Sequence, residues 1–448
     1  MTQRKRILFI SNHGSLGDMH PFLGAGRALQ AAGHEVTVAA SKVFVPRVQA
    51  AGLPVVKVGQ DFDPSDPGYM EPLLDALLDV RSGPLRLLQQ HVFPSFEQLI
   101  EECLPLARKA DLLVAGALGY FVPTLSELCH IPWAQLMIAP LLYWSAYDPP
   151  LTPALPFLRS LPLGPRGYSL LYRAMFSALA PTASPLQAAR RARGLRPGPS
   201  PFQPEGRNSP YLNIATFSKH FAPAQPDWPR PLIQTGFFRY DGTRQNDESL
   251  EPELERFLDA GSPPIMITLG SGASVFRPGN IYECFAEALA RMPNQRAVML
   301  VGSHAVEKLR ARFGHPKLFV SGYAPFGQLM PRCRAIVHQG GIGTTGHALE
   351  AGVPSVVIGH VNDQLDNARH VVECGAGLSL KLRALTAKSL RVALERLCSD
   401  PQLARGARHM SQLLLSEDPD QVIVRGVADF FAGRSESLNE ATYEYVNA

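Results

Sequence analysis

The chain has 448 residues and lacks the features that mark several classes of protein. Its 43 basic and 39 acidic residues nearly cancel, so it has no excess positive charge of the kind that binds nucleic acid. No run of about 18 apolar residues occurs, which argues against a membrane-spanning helix. The apolar run from Ile7 to Ile10 is too short for the core of a signal peptide. We therefore expect a cytoplasmic protein.

Cysteine is also scarce, and its spacing excludes the usual cysteine-based sites. The six cysteines form no C-x-x-C pair and no spacing typical of a metal site. We expect them to be reduced thiols in the core, and we expect no bound metal.

Acidic residues are missing between Asp148 and Glu205. The same segment contains seven arginines: Arg159, Arg166, Arg173, Arg190, Arg191, Arg193 and Arg196. A basic, apolar segment is typical of a surface that meets a membrane or an anionic amphiphile. Weak association with the inner-membrane surface is therefore one hypothesis. A solvated pair of helices with an arginine-rich face is the alternative.

Alternating strands and helices divide the chain into two halves. A buried strand from Arg6 to Ser11 leads through a loop to a helix predicted over 22–32 and a strand over 36–40. A second series of such elements begins with a strand over 264–269. This pattern predicts the α/β class, with doubly wound parallel sheets and a ligand cleft between them. No complete G-x-G-x-x-G motif follows the first strand, so a dinucleotide site has little support.

The expected boundaries follow from this division. We predict an N-terminal Rossmann-like domain over 1–222 and an interdomain linker over 223–245. A second Rossmann-like domain is predicted over 246–415, followed by a helix and mobile tail over 416–448.

The stretch 337–377 carries the strongest motif of the chain. A β-branched strand enters a loop that contains Gly340, Gly341 and Gly343, and a helix is predicted to begin near Thr344. Glycines allow the backbone to approach a ligand, and the first turn of a helix offers unpaired N–H groups to an anion. The stretch therefore predicts a phosphate site at the carboxyl end of a strand.

These motifs resemble those of the nucleotide-sugar glycosyltransferases of family 1, which have the GT-B fold of two facing Rossmann-like domains. The resemblance covers nearly the whole chain. In the first half it is similar to the bacterial antibiotic and sterol branch, through Gly14, Ser15, Gly17, Asp18 and Pro21. In the second half it rests on His338, Gly340, Gly341, Gly343, Thr344, Ala348, Leu349, Ala351, Gly352, Pro354, Asp363, Gln364, Asn367 and Ala368.

A narrower resemblance points to the catalytic subunit of the rhamnolipid rhamnosyltransferases. It rests on five short segments: 221–223, 227–229, 235–237, 340–343 and 363–368. It implies inverting transfer of a hexose, with rhamnose favoured, from dTDP-rhamnose to a hydroxyl of a hydroxy fatty acid lipid. Transfer of glucose from UDP-glucose to a polyketide, sterol or flavonoid is the alternative. The nucleotide sugar is a co-substrate, and no cofactor is expected.

The resemblance implies that the second half binds the donor. His338 and the N–H groups from Gly341 to Thr345 would contact the diphosphate; a β–α turn without a ligand is the alternative. Asp363 and Gln364 would hold hydroxyls of the hexose, although Asp363 could instead cap a helix.

Two further donor residues are predicted with less support. The resemblance places Tyr323 where the nucleobase stacks, with a core tyrosine as the alternative. Ser271 lies in the glycine-bearing loop 270–274 and is a second candidate for phosphate binding.

Transfer requires a base that deprotonates the acceptor hydroxyl. By resemblance Asp18 occupies that position, but an unperturbed carboxylate, with a pKa of about 3.9, is a weak base near pH 7. His13 and His20 flank Asp18 and could relay its proton. His20 as the base, or Asp18 as the N-cap of a helix at Pro21, are the alternatives.

The acceptor side is predicted from composition. The aromatic residues Tyr143, Trp144 and Tyr147 suit either a lipid or a polycyclic acceptor, and the arginine-bearing segment favours one with a carboxylate. Two other functions stay open: a degenerate nucleotide-sugar binding protein that partners an active transferase, and an epimerase of the same fold. Oligomeric state is left open.

Overall fold

The computed structural model describes residues 3–11, 13–14, 16–61, 67–240, 249–270 and 281–434. They form two α/β units, each built on one parallel sheet. The strands of the N-terminal sheet are β1 (Arg6–Ser11), β2 (Glu35–Ala40), β3 (Val55–Lys57), β4 (Leu112–Ala115), β5 (Trp133–Met137), β6 (Leu212–Ala215) and β7 (Leu232–Gln234). Those of the C-terminal sheet are β8 (Ile265–Thr268), β9 (Ala297–Leu300), β10 (Leu318–Ser321), β11 (Ala335–His338), β12 (Ser355–Val357) and β13 (Gly377–Ser379).

Helices connect the strands in both units. In the first half of the chain they are α1 (Leu16–Ala31), α2 (Val45–Ala50), α3 (Pro67–Leu78), α4 (Gly83–Leu87), α5 (Phe96–Ala107), α6 (Val122–Cys129), α7 (Pro165–Leu179), α8 (Ser184–Arg191) and α9 (Pro204–Arg207). In the second half they are α10 (Pro252–Asp259), α11 (Ile281–Ala290), α12 (Val306–Phe313), α13 (Phe326–Leu329), α14 (Ile342–Glu350), α15 (Gln364–Glu373), α16 (Ala387–Ser399), α17 (Pro401–Leu415) and α18 (Pro419–Phe431).

The strand order places the ligand cleft. The N-terminal sheet runs β3-β2-β1-β4-β5-β6-β7 and the C-terminal sheet runs β10-β9-β8-β11-β12-β13. In each sheet the order reverses next to the first strand, between β1 and β4 and between β8 and β11. In doubly wound sheets ligands bind outside the carboxyl ends of the strands at this reversal. The loops after β1, β8 and β11 therefore define the candidate site.

Strand β1 shows how the sheet is covered on both faces. Ile7 and Phe9 pack into the core that includes α1, whereas Leu8 and Ile10 pack into the core that includes α5. Successive side chains of a strand point to opposite faces, so an unbroken apolar run is what a strand buried on both faces requires. Each such side chain contributes about 1.5–3 kcal/mol through burial.

The predicted interdomain linker is wrong over part of its length. Residues 232–234 form β7, which pairs in parallel with β6 and completes the N-terminal sheet. The N-terminal unit therefore extends beyond 222. The short apolar run was concealed by the prolines before it, because proline usually marks a loop.

The last helix returns to the N-terminal unit. Ile423 and Val427 of α18 are buried in the same core as α1 and β1. The predicted mobile tail begins at Gly433, and 435–448 of it lies outside the described residues. A continuous apolar cluster also joins the two units, with Phe221 and Trp228 from the first and Ile342 from the second.

Candidate active site

The loop between β11 and α14 has the geometry of an anion site. Gly340 has a φ of 89°, and a Cβ there would lie 2.7 Å from the carbonyl oxygen of Gln364. Helix α14 begins at Ile342, two residues before the predicted start. Its N-cap residue is Gly341, which has no side chain to cap the first turn. The first bond within the helix runs from the Thr345 N–H to the Gly341 oxygen, at 2.9 Å. The N–H groups before it have no acceptor within the helix, so this turn can bind a diphosphate.

His338 supplies a further donor beside this loop. It is fully buried, and its Nδ1 accepts a hydrogen bond from the Gly340 N–H at 3.1 Å. Because Nδ1 accepts, the ring proton is on Nε2. Burial lowers the pKa of His338 to about 4, so the ring is neutral at pH 7. Nε2 is buried and has no hydrogen-bond partner among the described residues, which is unusual for a native structure and indicates a ligand position.

Asn367 connects the glycine loop to the predicted sugar site. Its Nδ2 donates to the Gly340 carbonyl at 2.8 Å and to Asp363 Oδ2 at 2.7 Å. One buried amide thereby fixes both the loop and the carboxylate. Asp363 is the residue before α15, but its side chain makes no capping hydrogen bond to the helix backbone. Asp363 therefore occupies the N-cap position of α15, as the alternative predicted, but its side chain does not cap the helix.

Gln364 is held by its amide oxygen. The oxygen accepts from the backbone N–H groups of His360 and Val361, at 3.0 and 3.2 Å. This arrangement leaves Nε2 as a donor that no described residue accepts from. Asp363 and Gln364 thus present an acceptor and a donor side by side, the pair that a sugar hydroxyl requires.

The pKa of Asp363 depends on its burial and on the charged groups around it. The pKa is raised to about 7 by burial, with smaller contributions from the carboxylates of Asp18 and Asp366, while the Asn367 amide lowers it. Asp18 belongs to the N-terminal unit. The two carboxylates are therefore close enough to repel each other across the cleft.

Asp18 lies in the first turn of α1, which starts at Leu16 rather than near Pro21. Its role as N-cap of a helix at Pro21 is therefore ruled out. Gly14 has a φ of 122°, and a Cβ there would lie 2.8 Å from Asp18 Oδ2. The missing side chain at Gly14 thus leaves room for the carboxylate of Asp18.

Comparison with known proteins agrees with this geometry. The family model of erythromycin biosynthesis protein CIII matches with its N-terminal domain over 27–72 and with its C-terminal domain over 304–429. The O-mycaminosyltylonolide 6-deoxyallosyltransferase of Streptomyces fradiae is 30% identical over 418 residues, which is 90% of this chain and 92% of that protein. This chain is a GT-B glycosyltransferase of the family 1 type.

Two other relatives show how widely the similarity extends. The sterol 3-beta-glucosyltransferase UGT80A2 of Arabidopsis thaliana is 30% identical to this chain over 371 residues, which is 78% of this chain and 54% of that protein. The crystal structure of the glycosyltransferase VinC in complex with dTDP superposes with a TM-score of 0.68 at 20% identity and covers 95% of this chain and all of that one. At that identity the structural match supports the fold alone.

The two histidines near Asp18 make contacts of their own. His13 Nε2 lies 2.9 Å from the Ser95 hydroxyl, which itself donates to the Val92 carbonyl, so His13 donates and Ser95 accepts. Burial, with a smaller effect of His91, lowers the pKa of His13 to about 4. His20 packs edge-on against Tyr240, with ring centroids 5.9 Å apart. Two residues are about 200° apart around a helix, so His20 faces away from the direction of Asp18.

Tyr323 lies on the surface of the C-terminal unit. Its exposed fraction is 52%, so the interpretation as a core tyrosine is wrong. It borders a cavity of about 620 Å³ beyond the carboxyl ends of β9 and β10, together with Ser303 and Pro325. The role of Tyr323 in nucleobase stacking stays a prediction. The other predicted phosphate residue, Ser271, lies outside the described residues.

The three predicted acceptor aromatics do not share one surface. Tyr143 is buried and stacks on Trp228, with centroids 4.4 Å apart, so its assignment to the acceptor site is wrong. Trp144 packs edge-on against Phe176 of α7. Trp144 is partly buried, and Tyr147 is the exposed member of the three, with 53% of its surface accessible. A run of aromatic residues in a loop does not show which of them the loop buries.

Arginines of the acid-free segment between Asp148 and Glu205 form ion pairs with carboxylates that lie outside it. Arg190 pairs with Glu127, Arg193 with Glu97, and Arg159 with Asp148 at the edge of the segment. Three of the seven arginines are therefore engaged within the protein, which weakens the case for an anionic acceptor. In the described part of the chain, no helix is both long and apolar enough to cross a membrane.

Sequence reasoning missed two groups of residues. One is the packing of Phe237 and Phe238 between the units, since segment 235–237 served only for the resemblance. The other is Arg369, which pairs with Asp148 of the N-terminal unit. The spacing of the Asp363, Gln364 and Asn367 motif gave a signal for the donor loop, but nothing local marks an arginine whose partner lies 221 residues away.

Proposed function

We propose that the transferase moves a deoxyhexose, with rhamnose favoured, from a thymidine diphosphate sugar to a hydroxyl of an apolar acceptor, with inversion at the anomeric carbon. One observation carries this proposal. Burial raises the pKa of Asp363 in the C-terminal unit to about 7, and the Asp18 carboxylate of the N-terminal unit adds to this rise across the cleft. Their proximity supports Asp18 as the base for an acceptor that meets a sugar held by Asp363.

The reaction is a single displacement. Asp18 takes the proton of the acceptor hydroxyl, the acceptor oxygen forms a bond to the anomeric carbon, and the bond from that carbon to the diphosphate breaks. The negative charge that develops on the leaving diphosphate meets the N–H groups at the start of α14 and the Nε2–H of His338. The attacking and leaving groups lie on opposite sides of the sugar, which inverts its configuration.

The donor class is supported by the name of one relative and by the nucleotide bound in one structure of the same fold. The Streptomyces fradiae enzyme is named as a deoxyallosyltransferase, and the VinC structure contains dTDP. UDP-glucose is the second candidate, because the Arabidopsis thaliana sterol glucosyltransferase is equally identical over a shorter span.

The acceptor class rests on weaker support. The named acceptors of the two curated relatives are O-mycaminosyltylonolide and a sterol. The arginines of the acid-free segment favour a hydroxy fatty acid, whose carboxylate they could bind. Three of these arginines form ion pairs within the protein instead. We therefore place a polyketide or sterol hydroxyl ahead of a lipid acid.

An activity assay with every combination of three donors and three acceptors tests the proposed donor class and acceptor class. The donors are dTDP-rhamnose, dTDP-glucose and UDP-glucose; the acceptors are a macrolide aglycone, cholesterol and 3-hydroxydecanoate; mass spectrometry reads the product. Acceptor plus one deoxyhexose is the expected result. Product from UDP-glucose alone would overturn the donor assignment, and an altered free nucleotide sugar without transfer would indicate an epimerase.

Two matched variants of α1 test the base. Asp18→Asn should lower transfer by roughly 100-fold or more, because general-base catalysis contributes about that much, and should change dTDP affinity little. His20→Asn, on the other side of the same helix, should keep most of the activity. A larger loss in His20→Asn than in Asp18→Asn would show that the base is misassigned.

A further inference from the structure

A buried ion network joins the two units beside the donor site. Arg369 of α15 contacts both carboxylate oxygens of Asp148, with Nη1–Oδ1 at 3.2 Å and Nη2–Oδ2 at 3.0 Å. The Nη2 atom also donates to Asp366 Oδ1 at 3.0 Å. Side-chain exposure is 10% for Arg369, 21% for Asp148 and 1% for Asp366. Such forked, shielded contacts are the strong form of an arginine–carboxylate pair.

The backbone of the N-terminal unit joins the same network. The Leu151 N–H donates to Asp366 Oδ1 at 2.9 Å. Although burial raises the pKa of Asp148, the charges of Arg369 and Arg159 hold it below its usual value, so the carboxylate is ionised at neutral pH. The loop 145–151 of the N-terminal unit therefore contacts α15 at two residues, Asp148 and Leu151.

The other end of this loop is fixed to its own unit. Asp227 accepts hydrogen bonds from the Ser145 hydroxyl at 2.7 Å and from the Ala146 N–H at 2.6 Å. Tyr147 lies between this anchor and Asp148, and it is the predicted acceptor residue that the structure leaves exposed. Residues 145–151 thus form a short bridge from the N-terminal unit to the helix that begins at Gln364.

We propose that Asp148 and Arg369 act as positioning residues, which hold the loop 145–151 and its Tyr147 in register with the sugar-binding start of α15. Asp363 and Gln364 precede Arg369 by about one and a half turns of the same helix, so a constraint at Arg369 is transmitted to them. The pair sets the position of the acceptor relative to the donor sugar. This inference rests on the proposed function for its kinetic consequences, but the contact itself does not.

The test uses Asp148→Asn in the full chain, with Glu127→Gln as the matched control. Arg369 keeps Asp366 and Glu373 when Asp148 is changed, so α15 retains its charge balance. Glu127 pairs with the equally buried Arg190, but both residues belong to the N-terminal unit. The control therefore removes a carboxylate from a shielded arginine without touching the contact between units.

Two readouts separate positioning from stability. With the donor and acceptor that give product in the panel above, Asp148→Asn should lower kcat/KM for the acceptor by roughly tenfold or more, while dTDP affinity changes less than about threefold. Asp148→Glu should recover part of the loss, and Glu127→Gln should stay within about twofold of the wild type. An equal loss in the control, or a parallel loss of dTDP affinity, would overturn the positioning role.

Hydrogen exchange provides a readout that needs no substrate. Asp148→Asn should accelerate amide exchange over 145–151, whereas Glu127→Gln should not. Unchanged exchange there would overturn the inferred contact even in an active enzyme. A wild-type enzyme that uses no dTDP-sugar, with accelerated exchange in the variant, would instead overturn the proposed donor and leave the contact established.

Discussion

Gly340 provides the sharpest test of the glycine loop, because two separate constraints exclude a side chain there. Alanine would have to adopt a φ of 89°, and its methyl group would lie 2.7 Å from the Gln364 carbonyl oxygen and 2.8 Å from Val357 Cγ1. A left-handed backbone costs about 1–2 kcal/mol for a residue with a Cβ, and overpacking costs about 1–3 kcal/mol. We expect Gly340→Ala to lower the free energy of unfolding by roughly 2–5 kcal/mol and to displace the start of α15.

Gly343→Ala is the matched control, three residues away in the first turn of α14. Apart from its chain neighbours and the backbone of its own helix, no heavy atom of the described residues lies within 4 Å of a Cβ at this position, and alanine favours a helix over glycine by up to about 1 kcal/mol. The methyl group would nevertheless enter the open space where the diphosphate is expected, so dTDP affinity should fall by roughly tenfold. Urea unfolding and calorimetric titration with dTDP measure both quantities in both variants. Equal stability of the two variants, or wild-type dTDP affinity in both, would refute this account of the loop.

Two predictions concern titratable groups of the same site. His338→Ala should weaken binding of dTDP-rhamnose in calorimetry by about 1.5–3 kcal/mol, the value of a hydrogen bond to a charged group. This difference from the wild type should be the same at pH 6 and at pH 8, because a pKa of about 4 keeps the ring neutral. A difference that grows several-fold as the pH falls through this range would contradict a neutral His338. For Asp363, the folded pKa of about 7 lies above the ordinary 3.8, so the native state binds more protons between these values and its stability falls as the pH rises through them. Asp363→Asn should flatten this decline in urea unfolding at stepped pH, and an unchanged slope would refute the raised pKa of Asp363.

The sequence was most informative where one short stretch contains a complete local unit. The hydrogen bonds that shape the glycine loop run from the Gly340 N–H to His338 and from Asn367 to the Gly340 carbonyl, all within one stretch of the sequence, so spacing predicts their arrangement. The helix bounds still shifted, because the residues before Thr344 adopt helical geometry without any capping side chain. Asp18 is a similar case, since α1 begins before the proline that seemed to start it.

Prediction failed where burial depends on distant partners. Tyr143 was assigned to the acceptor because it sits in an aromatic loop, but Trp228, from a later segment, covers it. Strand β7 is three residues long and depends on its pairing with β6, which no local pattern reveals. Arg369 belongs to the same class, because its role is set by Asp148 in the other unit.

The juxtaposition of Asp18 and Asp363 has a physical cause in the connection between the units. A Cβ at Gly24 of α1 would lie 2.7 Å from Phe238 Cβ, and a Cβ at Gly346 of α14 would lie 3.0 Å from Phe237 Cδ1. Two consecutive aromatic residues therefore pack closely on two helices, one from each unit, at positions where glycine leaves room.

Each of these helices carries half of the site at its N-terminus. Gly24 follows Asp18 by six residues, about 9 Å along α1, with Pro21 between them, and Gly346 follows the diphosphate loop by about one turn. Packing at these two glycines restrains how the two helices sit against each other, and with it the distance between the proposed base and the diphosphate loop. The chemistry at the cleft thus depends on an apolar contact behind it, in a connection that contains no proposed catalytic residue.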